Sequence, residues 1–168
     1  MGFKEQKLEF SSYDLNHEKI TLNTFLQSSG FYYDARFFGK LEKNDIIEVY
    51  TYPQYKQIYS NNEFKKICSY TNEQMKEMPF PELFWRDPEV QATLMRRLVQ
   101  VCHSKKQVYA WNLPDHDLIE NLHPKKRTFK MTLKFIAPCF RSDTAEIASA
   151  FVTTAKVTQI FEWSTAIT

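Results

Sequence analysis

Thr128 to Ile136 alternates without a break: Phe129, Met131, Leu133 and Phe135 fall on one side, Thr128, Lys130, Thr132 and Lys134 on the other. A period of two predicts an antiparallel strand with one buried and one wet face. Pro138 is expected to end it. Upstream, the β-rich run Asp45 to Thr51, a turn at Tyr52-Pro53-Gln54 and a return from Tyr55 to Tyr59 predict two paired strands. Downstream, residues 147 to 161 are rich in β-branched side chains and predict the last strand. Gln107 to Asn112 predicts a short strand, and Leu113 to Lys126, with Pro114 and Pro124, a loop.

The spacing changes to helical elsewhere. Ile20, Leu22, Phe25 and Leu26 predict a short amphipathic helix over Glu18 to Gln27, with Asn16 as N-cap and Gly30 as stop. Asn61 or Asn62 caps a helix carrying Phe64, Ile67 and Cys68 on one side. Thr71 with Gln74 is a capping box that starts a helix near Asn72, and Pro79 and Pro81 end it. Asp87-Pro88-Glu89 joins an N-cap, a proline at the first helical position and an acid near the positive dipole end. Val90, Leu94, Leu98 and Val101 or Cys102 then repeat at helical spacing, so a longer helix is expected from about 88 to 104. Residues 1 to about 16 are polar and without period.

An early strand pair, inserted helices and a late three-strand meander fit one five-stranded antiparallel sheet with helices on one face. The fold class is α+β, with an N-terminal helical flank over residues 1–40 and the main domain over 41–163. The 168 residues suffice for one such domain. Only Gly2, Gly30 and Gly39 occur, which excludes a glycine-rich phosphate loop. A net charge of +2 gives no electrostatic case for nucleic acid, and Lys125-Lys126-Arg127 reads as a solvated strand start. Cys68, Cys102 and Cys139 are widely spaced and odd in number, which suits buried thiols in a reducing compartment. No run is long enough for a membrane helix, no signal peptide is visible, and Gln6 breaks the myristoylation pattern that Met-Gly begins. A cytoplasmic protein without membrane contact is expected.

One stretch, Tyr55 to Pro88, carries a resemblance. Ile58-Tyr59-Ser60-Asn61 ends a strand. Ser69-Tyr70-Thr71-Asn72-Glu73-Gln74-Met75 stands where PAS domains carry Gly-Tyr-Ser-x-Glu-Glu-Leu. Pro79-Phe80-Pro81-Glu82-Leu83 follows at the expected distance, and Asp87-Pro88 opens the long helix. Ser69 and Glu77 stand at positions that are usually glycine. The chain therefore resembles the PAS family over these residues, and in strand order over roughly 45 to 161. The resemblance implies a sensory and interaction domain, not an enzyme. It would bind a small molecule, pair as a homodimer, or both, to control a separate output domain or partner protein in transcription or signal transduction.

The pocket implied lies between sheet and helices, with Phe64, Cys68, Trp85, Leu94, Leu98, Trp111, Phe129 and Met131 as lining candidates. Phe31 to Phe38 holds five aromatics in eight residues. Such a segment must either pack on the domain or meet a second subunit, so Phe31, Tyr32, Phe37 and Phe38 are candidates for a dimer interface. Flavin photochemistry of the LOV kind needs Asn-Cys-Arg-Phe-Leu-Gln, and Leu83-Phe84-Trp85-Arg86-Asp87 has no cysteine there. Haem held from the long helix would fall to His103, which sits where a helix end favours a cation. His116 and His123, seven apart with no cysteine near, suit a metal poorly. No catalytic residue and no metal site are expected, and the sequence leaves open whether a cofactor is bound, with LOV-type flavin and haem through His103 disfavoured. Two other readings stand beside this one. One is an interaction module with a filled core. The other is a small α+β pocket enzyme, for which Glu48, Glu63 and Glu82 lie nearest apolar faces but read as exposed.

Overall fold

The computed structural model describes residues 2–6, 14–104, 109–122 and 127–164. Strands β2 (Ile46–Thr51) and β3 (Gln57–Ser60) form the early hairpin, and β5 (Tyr109–Glu120), β6 (Thr128–Cys139) and β7 (Ala150–Ser164) the late meander. Helices α2 (Asn62–Ile67), α3 (Asn72–Glu77), α4 (Phe80–Leu83) and α5 (Pro88–Cys102) lie between them, with the two-residue strand β4 (Phe84–Trp85) before α5. All pairs are antiparallel and the order is β3-β2-β7-β6-β5-β4. A further strand, β1 (Gly2–Gln6), pairs with the far end of β7 beside β2. The α+β, PAS-like arrangement is thus observed, with short β1 and β4 added to the five principal strands.

Local chemistry explains the helix ends. Thr71 and Gln74 close a reciprocal capping box, Gln74 N donating to Thr71 Oγ1 at 3.2 Å and Thr71 N to Gln74 Oε1 at 2.9 Å. Asp87 Oδ1 accepts from the amides of Glu89 and Val90 at the head of α5. Asn61 caps α2 through Phe64 N and, with the same oxygen, accepts from Ile47 N of β2 at 3.1 Å. Its amide donates to Asp45 O at 2.8 Å, so one buried side chain ties the helical insert to the sheet.

The N-terminal helix α1 (Leu15–Ser28) begins earlier than its apolar spacing suggests, because Asp14, not Asn16, accepts from His17 N. It ends in a Schellman turn. Gly30 sits at φ +76°, Gly30 N donates to Gln27 O and Phe31 N to Leu26 O. A 3-10 helix (Ala35–Lys40) follows. These elements cover the sheet face opposite α2–α5. Leu22, Leu26, Phe31, Phe37 and Leu41 pack there against Ile47, Val49, Phe135, Ala137, Cys139 and Val152. Both faces are therefore buried over much of the sheet, which corrects the expectation of one wet face. It also explains why β2 is buried at every position from Ile46 to Tyr50.

Two further expectations fail for one reason, the β-bulge. In β6 the register against β7 shifts between Leu133 and Phe135. Lys134 takes up the extra position and its ammonium reaches Asp45 Oδ2 at 2.7 Å and Glu42 Oε2 at 3.0 Å. Phe129, Met131 and Leu133 face α2–α5, but beyond the bulge Phe135 faces α1. Residues 113–120, expected as loop, belong to β5, where shifts between Ala110, Leu113 and His116 accommodate Pro114. The strand β6 also runs through Pro138, beyond Ile136, the last residue described as pairing with β5. Pro81 does not break structure either: it sits in the first turn of α4, where a proline needs no N–H partner.

At the end of β5, Glu120 is wholly buried. Oε1 accepts from Ser69 N at 3.3 Å and Oε2 has no partner among the described residues. Burial pushes its carboxyl up to about 7 from an ordinary 4.5, against the pull of Ser69 and Arg127. A raised carboxyl favours the protonated native state, so this group's contribution falls as pH rises from 4.5 to about 7 and is level above. Glu120→Gln keeps an acceptor for Ser69 and removes the ionisation. The variant should gain stability over the parent toward the alkaline side, with little difference in acid. Urea unfolding of both proteins from roughly pH 5 to pH 8 reads this, and a gain that grows toward acid would refute it.

Candidate functional site: a cavity between sheet and helices

A small cavity lies between the inner sheet face and the helices. Its walls are Phe80, Phe84, Leu94, Leu98, Leu118, Met131, Leu133 and Phe151, with Glu48, Tyr50, Arg86 and Thr153 on the polar side. Its volume is about 30 Å³, room for about two waters.

Each polar group arrives by strand alternation. On β2, Ile46, Glu48 and Tyr50 point inward together. On and after β4, Phe84 is buried, Trp85 is 45% exposed, and Arg86 turns in again. Tyr50 Oη donates to Glu48 Oε1 at 2.6 Å, and Gln57 Nε2 donates to the same oxygen at 3.0 Å. Burial raises the Glu48 carboxyl above its ordinary range, opposed by Tyr50, Arg86 and Gln57. Burial, with the Glu48 charge behind it, also raises the Tyr50 phenol. Arg86 Nε donates to His116 Nε2 at 3.3 Å, which requires that nitrogen to be unprotonated. The guanidinium lies 5.6 Å from the Phe80 ring centre. Burial lowers the Arg86 value, while Tyr50 and Glu48 raise it through space. Arg86 Nη1 is out of contact with solvent and has no hydrogen-bond acceptor among the described residues.

Of the expected lining residues, Leu94, Leu98 and Met131 border the cavity. Phe64 and Phe129 are buried in the same core without lining it. Cys68 packs at its margin, its thiol pushed up to about 12 by burial. Trp85 is corrected outright, since alternation on β4 sends it to solvent. The Trp111 side chain and His123 lie outside the described residues. His103 caps α5 and meets Tyr52 Oη at 3.1 Å, away from the cavity lining. Glu48 and Glu63 are buried, not exposed as expected. Glu63 pairs with Lys66 at 2.8 Å, and Glu82 is exposed. Among the described residues no cluster of His, Cys, Asp and Glu could hold a metal ion.

The aromatic segment divides. Phe37 is 0% exposed and stacks on Phe38 at 4.3 Å, while Phe31 is buried under the Arg141 guanidinium at 4.5 Å. Tyr32 pairs through its backbone with Phe140 and leaves its ring 49% exposed. Phe31 and Phe37 are therefore spent on intrachain packing, and of the four only Tyr32 keeps an exposed ring.

No protein-family model and no curated protein matches the chain. Among solved structures it is similar to a domain of a candidate light and redox sensing histidine kinase from Haloarcula marismortui. The identity is 16%, over 73% of this chain and 95% of that one, at a TM-score of 0.40. A likeness at that score carries no argument about function. Among the described residues no helix is long and apolar enough to cross a membrane.

Proposed function

We propose that the chain is a PAS-type sensory domain that binds a small molecule in the inner cavity and passes its occupancy to a separate output domain or partner protein. One observation carries the reading: Arg86, whose buried Nη1 has no acceptor among the described residues, borders a cavity that is walled mostly by apolar side chains. A buried donor left unmade costs about 1–3 kcal/mol, so a core that merely needed filling gains nothing from keeping it. Such groups persist where a ligand completes them. Pairing as a homodimer around Tyr32 and the exposed side of α1, where Ile20 is solvated, would join the cavity to signalling or transcriptional control.

The volume of about 30 Å³ favours a second reading, an interaction module with a filled core. Native mass spectrometry of the purified chain, before and after denaturation, separates the two. A retained small mass released by denaturation is the expected result. An empty protein whose melting temperature no small molecule raises would establish the interaction module instead.

A further inference from the structure

Resting on that reading, we infer that the cavity takes a short-chain carboxylate, whose charged end meets Arg86 and whose carbon end meets Leu94, Leu98 and Met131. Three observations converge. Arg86 Nη1 has no acceptor among the described residues, while Nε is already used by His116, so the guanidinium is held but incomplete. A carboxylate supplies the charge-assisted acceptor that arginine recognises best. Apart from Glu48, Tyr50, Arg86 and Thr153, the lining is leucine, phenylalanine and methionine, so the body of a ligand meets mostly carbon. The cavity volume of about 30 Å³ then limits the body to a few carbons, since about 10–15 Å³ of such space holds one water.

Glu48 decides between an acid and an amine. Its Oε1 already accepts from Tyr50 and Gln57, and no donor reaches Oε2 among the described residues. An ionised Glu48 would attract an ammonium ligand, but Arg86 beside it would repel that ligand and stay unpaired. A carboxylate satisfies Arg86, and a protonated Glu48 can donate its Oε2 proton to the same ligand. Glu48→Gln retains an acceptor for Tyr50 and Gln57 and offers an N–H donor, so acid binding should be kept or strengthened, whereas amine binding would be lost.

The test is calorimetric titration with propionate and with propionamide, its neutral isostere, on the parent, Glu48→Gln and Arg86→Gln. Propionate should bind the parent and propionamide should be weaker by about tenfold or more. Arg86→Gln should lose propionate by about the same factor, with the melting temperature held or raised because an incompletely paired buried charge is removed. Glu48→Gln should bind propionate at least as well as the parent. Equal binding of acid and amide, or loss on Glu48→Gln, would overturn the assignment. If Arg86→Gln fails to fold, the parent and Glu48→Gln comparisons still decide. A retained non-acidic mass with no propionate binding would sink the carboxylate and leave the sensor standing, whereas an empty cavity that binds nothing would sink both.

Discussion

Phe37→Ala should destabilise the protein by about 3–5 kcal/mol, the cost of removing a large buried ring from a core that cannot collapse around the space. Phe37 has no exposed surface, stacks on Phe38 at 4.3 Å and lies 5.9 Å from Phe135. Beneath it is the second core, where α1 and the 3-10 helix close the outer sheet face. Leu22 and Leu26 anchor the same layer, so the loss should free the whole N-terminal flank from β2 and β6. Denaturant unfolding of a dilute sample measures it. If residues 31–38 served only to pair two copies, the substitution would change the dimer constant and leave dilute-monomer stability within about 0.5 kcal/mol of the parent.

Leu94→Ala should cost about 2–5 kcal/mol for the same physical reason on the opposite face. Leu94 is 3% exposed on α5 and already borders the cavity of about 30 Å³. Truncation therefore merges a new void with an existing one, and neighbouring side chains have less to close against. The enlarged space should also shift binding toward bulkier acids, because the removed isobutyl group is the wall facing the ligand's carbon end. A cost under about 1 kcal/mol would mean that α5 presents a different face to the sheet.

What was legible in the sequence was local. Thr71 with Gln74, Asp87 with Pro88, and Gly30 after the first helix each act within a few residues of themselves, and each does what its chemistry requires. The order of the principal strands followed from an early strand pair and a late three-strand meander with helices between them. Bulges were not legible, because a bulge is a relation between two strands: the shift at Lys134 is drawn by Asp45 and Glu42, far back in the chain. Without it, Phe135 counts with Met131 when it belongs to the other core. Burial of both sheet faces was hidden likewise, since it depends on where α1 docks. Glu48 reads as exposed because it is charged, although alternation with Ile46 and Tyr50 puts it on the inner face. Arg86 is different. Its inward turn follows from the period of two through Phe84 and Trp85, so a count from Phe84 finds it. Attention to apolar candidates alone passes over it.

The most direct measurement of the central claim is a methyl NMR titration of the chain with propionate, following Met131, Leu94 and Leu98. The account predicts saturable shifts at these methyls, all of which border the cavity, with the methyls of Leu22 and Leu26 on the outer face unmoved. Shifts confined to the outer face, or none at saturating propionate, would contradict it.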